Sequence, residues 1–127
     1  MKLLTAVVFG SVFLFLGVLF GALGSHALQT KLSEDSLASY MIATRYLFYH
    51  GLGLLLLSSL PFVSEQIKER IALFLVVGTL VFSMSIIVLS TKSIHGLTVS
   101  FLGPVTPLGG IMLLAGWGYL AFELIRS

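Results

Sequence analysis

The chain has 127 residues, of which 57% are hydrophobic and only 9% charged, and its mean hydropathy is +1.10. A soluble chain carries about 25% charged residues, and a domain of this size has no interior large enough to hide so much Leu, Val, Ile, Phe and Ala from water. An ordinary soluble domain is excluded. The lack of cysteine removes disulfides, thiolate metal sites and a cysteine nucleophile, and a net charge of +2 without any basic run gives nucleic acid no footing.

Four apolar stretches, residues 3–23, 40–60, 71–90 and 105–125, each approach the roughly 20 residues needed to cross about 30 Å of hydrocarbon. The segments between them, 25–39, 61–70 and 91–104, collect nearly all the charges and leave no room for a soluble domain. The expectation is an all-α, single-domain integral membrane protein. With connections this short, consecutive spans should run up and down as an antiparallel, left-handed four-helix bundle.

The first stretch imitates a signal peptide, with Lys2, an apolar run and the small-residue pattern Ser25-His26-Ala27. Its apolar run exceeds the usual limit of about 15 residues, so it is expected to be retained as a span. Gly17 and Gly21 have the Gly-x-x-x-Gly spacing that lets two membrane helices approach closely, extended by Gly10 and Gly24. The partner helix is expected either inside the chain or in a second copy.

Leu28 and Leu32, four residues apart, suggest a short amphipathic turn along the interface. The second helix should start before its apolar part, because Ser33 can cap a first turn holding Glu34 and Asp35, which suit the helix dipole. Within its span lie Arg45 and His50, and titratable groups at such depth are functional candidates by default. At 100° per residue the two are about 140° apart, so one helix does not join them in a single site. Tyr46, His50 and Gly53 share a face instead. Arg45, near the span end, is placed to snorkel to lipid phosphate or to a carbonyl, or else to anchor an anionic ligand. His50 lies near the midpoint and must find a partner, expected to be a serine, tyrosine or carbonyl of a neighbouring helix. A proton relay is the competing role, but no carboxylate lies between span ends to serve it.

In the third stretch Ser83, Ser85 and Ser90 are expected to hydrogen-bond between helices. The fourth opens with Gly103-Pro104-Val105-Thr106-Pro107-Leu108-Gly109-Gly110. Proline is tolerated in a first turn, where its missing N–H has no partner in any case, so Pro104 and Pro107 read as a helix start. Gly109 and Gly110 suit close helix contact. Deeper in this span the Trp117 indole N–H needs a partner.

His26, His50 and His95 are the three histidines, but no short spacing pairs them and His50 is deeper than the others. No metal, haem or other cofactor is implied. Hydrolysis would require a nucleophile and an oriented base within reach, and His50 has no intramembrane carboxylate to orient it, so no catalytic residue is assigned. With four spans both termini share a side with residues 61–70. That side carries Lys2, Lys68, Arg70 and Arg126 against Lys31 and Lys92 opposite, which favours cytoplasmic termini.

Taken in order, Gly21-Ala22-Leu23-Gly24-Ser25-His26-Ala27-Leu28, Ala43-Thr44-Arg45-Tyr46, Tyr49-His50-Gly51-Leu52, Phe82-Ser83, Leu102 to Gly110 and Ala115-Gly116-Trp117 cover almost the whole chain. This set resembles the YgdD and YwdK type of small bacterial inner-membrane proteins of unknown function, with related small mitochondrial proteins in eukaryotes. Ser25, Gly51 and Gly53 stand where alanines are usual in that group. The resemblance implies a four-helix, multi-pass inner-membrane protein, supplies no catalytic residue, and directs attention to His26, Arg45, His50 and the Pro-Gly turn. The function expected is a noncatalytic structural or accessory component, in contact with membrane lipids and packed with itself or with a larger membrane complex. The alternative is a small homo-oligomeric transporter or channel. Small multidrug exporters have this size but carry an acidic residue in their first span, and residues 3–23 contain none.

Overall fold

A computed structural model describes residues 1–127, and every regular element in it is helical. The helices are α1 (Leu3–Ser25), α2 (Glu34–Ser59), α3 (Glu65–Thr79), α4 (Ser85–Ser90), α5 (Lys92–His95) and α6 (Val105–Arg126). A π-helical turn, Leu80–Met84, joins α3 to α4 as one rod, and a 3-10 turn, Ser100–Leu102, leads into α6. Three rods are long and apolar enough to cross a membrane: Leu3–Ser25, Glu65–Ser90 and Ser100–Arg126. The 26-residue α2 is long enough, but Arg45, His50 and its tyrosines dilute its apolar character.

Both predicted and unpredicted signals set the helix ends. Ser33 caps α2 by accepting a hydrogen bond from the Ser36 N–H at 3.2 Å, with Glu34 and Asp35 in the first turn. Ser64 caps α3 in the same way, accepting from the Ile67 N–H at 3.4 Å, so this helix starts six residues before the apolar run that begins at Ile71. Lys68, counted above among the loop charges, is instead buried. Its ammonium donates to the Leu60 carbonyl at 2.8 Å and the Ser58 carbonyl at 3.3 Å, closing the end of α2. Around Leu28 and Leu32 the chain turns, in line with the short turn expected there. Turns span residues 26–32, the Leu28 N–H donates back to the Leu23 carbonyl, and Leu32 is buried.

The register of contacts makes α1 and α2 antiparallel. Along α1, Gly10 meets Gly51, Gly17 meets Phe48 and Gly24 meets Tyr40, so numbers rise on one helix as they fall on the other. The buried residues of α1 are Ala6, Gly10, Phe13, Gly17 and Gly24, spaced by four, three, four and seven, the seven-residue repeat of a left-handed helix seam. The two glycines of the Gly-x-x-x-Gly spacing part company at this seam. Gly17 packs against the Phe48 ring inside the chain, whereas a Cβ on Gly21 would meet nothing within 4 Å. The backbones of α1 and α2 come close at Gly10 and Gly51, where an added Cβ on either would fall 2.9 Å from the other's carbonyl oxygen. A Tyr40 hydroxyl bond to the Phe20 carbonyl, 2.6 Å, reinforces this pair of helices.

The rods are not equivalent. α3 packs on α1, α2 and α6, whereas α6 rests on the α3–π–α4 rod with its backbone apart from that of α1. The α3–α6 crossing is tight because Gly78 and Gly109 face each other: a Cβ on Gly109 would lie 2.5 Å from the Phe82 nitrogen and 2.9 Å from the Gly78 oxygen. Outward faces are strongly apolar, with Leu4 77% exposed, Leu114 75% and Ile125 84%. Water would penalise such a surface heavily, whereas lipid chains accommodate it.

Candidate functional site

His50 lies in the middle of α2 and is buried. Its Nδ1–H donates to the Tyr46 carbonyl one turn earlier, at 2.8 Å, and its Nε2 accepts from the Trp117 indole N–H of α6, at 3.1 Å. A carbonyl cannot donate and an indole nitrogen cannot accept, so the two partners together specify the neutral Nδ1–H tautomer. The partner on the neighbouring helix is thus an indole donor, not the serine, tyrosine or carbonyl expected from sequence. The same bond answers the requirement of the Trp117 N–H.

Local sequence places both groups. Gly53, on the same face of α2 as His50, makes room for the indole: a Cβ there would fall 2.9 Å from the tip of the Trp117 ring. The backbones of α2 and α6 themselves stay apart, so the side-chain bond bridges an open interval. That interval is a cleft of about 620 Å³ opening at the surface of the helices, lined by Tyr46, Tyr49, His50, Phe82, Pro107 and Trp117 among others. Its walls are aromatic. Tyr46 lies 4.5 Å from Phe82 between ring centroids, 5.8 Å from Tyr49 and 5.7 Å from His50.

Phe82 owes its position to the π turn, whose extra residue shifts the following side chains around the helix axis. The same turn aims Ser83 at α2, where its hydroxyl donates to the Ala43 carbonyl at 3.0 Å. Nearby, the Ser85 and Thr106 hydroxyls bond at 2.7 Å and tie the rod to the first turn of α6. Thr79, just before the π turn, is fully buried, and its hydroxyl has no partner. The Ser90 hydroxyl bonds only within its own helix, to the Ile87 carbonyl at 3.2 Å, and so does not join helices as expected.

The remaining candidates lie elsewhere. Arg45 is exposed on another face of α2. His26 is exposed at the end of α1, where its backbone N–H closes the helix on Ala22. His95, in α5, donates from Nε2 to the Val88 carbonyl at 2.8 Å and accepts from the Leu97 N–H at Nδ1, holding the turn at Gly96, whose φ is 67°. No three His, Cys, Asp or Glu residues converge. Pro104 stands just before α6 and Pro107 in its first turn, on the cleft, while Gly110 faces the Phe82 ring with room to spare. Tyr49 and Phe82 were not singled out individually by sequence reasoning. The spacing Tyr46, Tyr49, His50 was the available signal for an aromatic face, whereas nothing local announces the π turn.

Residues 20–110 match the family described as "Protein of unknown function (DUF423)". A UPF0382 membrane protein of Staphylococcus haemolyticus is 32% identical over 120 residues, covering 94% of each chain. One of Staphylococcus saprophyticus is 34% identical over 97 residues, covering 76% of this chain and 77% of its own. The UPF0382 membrane protein YwdK of Bacillus subtilis is 28% identical over 125 residues, covering 94% and 95%. No solved structure matches.

Proposed function

Because this chain belongs to the DUF423 family, whose bacterial relatives are named UPF0382 membrane proteins, we propose that it is a noncatalytic membrane component whose four long rods all cross the bilayer. In this reading the rods form an antiparallel bundle in the inner membrane, with both termini cytoplasmic. Its lateral faces contact lipid, and it assembles with itself or with a larger membrane complex.

The observation that carries this reading is that both His50 nitrogens are engaged, one by its own helix and one by Trp117 of α6. An imidazole whose lone pair accepts an indole N–H and whose proton bonds a carbonyl is a fastener. To act as a base it would first have to release Trp117. Ser83 and the Ser85–Thr106 pair are engaged in the same way, tying helix to helix. α2 crosses the bilayer despite its polar residues because His50 is satisfied inside and Arg45 lies near enough to the span end to reach the interface.

Native mass spectrometry of the full chain, extracted gently from its own membrane, tests the reading. A co-purifying larger protein supports the accessory role and identifies the process. A bare homo-oligomer that conducts ions or solutes in vesicles, with flux lost and assembly intact in His50→Ala, would replace it with a channel or carrier.

A further inference from the structure

Where α2 begins, α4 ends and α6 begins, a second pocket of about 470 Å³ opens, in which Ile86 and Leu89 are the hydrophobic lining residues and the others are mostly polar or charged. Asp35, Ser36 and Ser39 line it from the first turns of α2, with Lys92, Gly103 and Thr106 across from them. Asp35 and Lys92 carry opposite charges into one pocket but are not paired with each other. The one ion pair of the chain, Arg126 with Glu123 at 2.8 Å, lies at the far end of α6. Ser36 and Ser39 stand one turn apart on the same helix and both line this space. Gly103 leaves the rim without a side chain.

The depth of the pocket follows from the sequence. Asp35, Ser36 and Ser39 precede the apolar part of α2 that starts at Tyr40, Lys92 follows the apolar rod that ends at Ser90, and Thr106 stands in the first turn of α6. All of these are boundary positions for a membrane-crossing chain. A ligand suited to the pocket has to offer a cation to Asp35 and, a short distance away, an anion rich in acceptor oxygens to Lys92 and the serine hydroxyls. Phosphate linked to a primary ammonium through two carbons has this arrangement, and the ammonium supplies N–H donors that a carboxylate bonds strongly.

We propose that this pocket binds a phosphoethanolamine zwitterion, with its ammonium on Asp35 and its phosphate on Lys92, Ser36 and Ser39. The lipid source, phosphatidylethanolamine, rests on the membrane reading above; the zwitterion chemistry does not.

The test is native mass spectrometry of the detergent-purified full chain offered equimolar dioleoyl phosphatidylethanolamine, phosphatidylcholine and phosphatidylglycerol. Phosphatidylethanolamine adducts should exceed either competitor by about tenfold, because choline has no N–H to donate and glycerol has no cation. Asp35→Asn should abolish the preference over phosphatidylcholine, and Lys92→Gln should weaken retention of all three. The emission of Trp117, the single tryptophan, reports whether each variant is folded. Equal retention of phosphatidylethanolamine and phosphatidylcholine by the native chain, or an unchanged preference in folded Asp35→Asn, would overturn the proposal. Soluble phosphoethanolamine distinguishes the sources: displacement of the lipid at equal concentration assigns the site to a free zwitterion, and no displacement assigns it to the lipid. Extraction of the chain from membranes by alkaline carbonate would refute the membrane reading alone. Soluble phosphoethanolamine would then still decide for or against the pocket.

Discussion

Trp117 and His50 are 67 positions apart in the chain and meet through a single N–H to N bond of 3.1 Å across a cleft that their backbones never close. In lipid the hydrophobic effect does not press helices together, so packing and bonds of this kind carry the association. The pair therefore makes a measurable contribution although it is one bond. Trp117→Phe and His50→Ala should each lower stability by about 1 kcal/mol, and the double variant should lose less than the sum of the two. Unfolding titrations in detergent arranged as a double-mutant cycle measure the coupling. A coupling of zero would remove the pair from the account of stability.

The glycines of α1 should separate sharply. Gly10→Leu drives a side chain into the Gly51 backbone and should cost about 3 kcal/mol or abolish folding. Gly21→Leu points into open space and should change stability by less than about 0.5 kcal/mol. Melting temperatures in a single detergent compare them directly. If Gly21→Leu leaves the fold intact but changes the mass of the assembly, that face is a contact between chains.

Lys68 acts as a cap on α2 more than as a loop charge. Lys68→Met keeps the aliphatic stem and removes the two bonds to the Ser58 and Leu60 carbonyls, for an expected loss of about 1 to 2 kcal/mol. Hydrogen exchange should show the added opening concentrated at the C-terminal turn of α2. Uniform exchange across the chain would contradict the capping role.

Thr79 offers a change in the other direction. Its buried hydroxyl has no partner, and valine has nearly the same shape without the polar atom. Thr79→Val should therefore be neutral or stabilising by up to about 1 kcal/mol. A clear loss of stability would mean that the hydroxyl is bonded in the folded protein, and would place a polar partner beside the π turn.

Much of the secondary structure was legible because its causes are local. The Ser33 cap with Glu34 and Asp35 behind it marks the start of α2 without reference to any other helix. The face shared by Tyr46, His50 and Gly53 follows from helical spacing alone, and Trp117 sits on that face. Partner choice is not a local property. Gly17 and Gly21 have the right spacing for a contact, yet only Gly17 makes one within the chain, because the internal seam on α1 repeats as Gly10, Gly17 and Gly24 and Gly21 falls outside it. Lys68 looked like a free loop charge because the turn that brings the end of α2 within its reach is made of residues that say nothing about it.

Composition and spacing by themselves determined that this is an all-helical membrane protein, where its apolar rods lie, and which residues are costly enough in lipid to need partners. Those properties depend on transfer energies and on helical periodicity, which each residue carries with it. Only the tertiary structure decided that His50 is satisfied by Trp117, that a π turn brings Phe82 onto Tyr46, and that Asp35 and Lys92 share one pocket. Each of these depends on how far one rod is rotated and slid against another. In a chain whose faces are nearly all apolar, hydrophobicity distinguishes those arrangements weakly, and close glycine contacts together with a few buried bonds select among them.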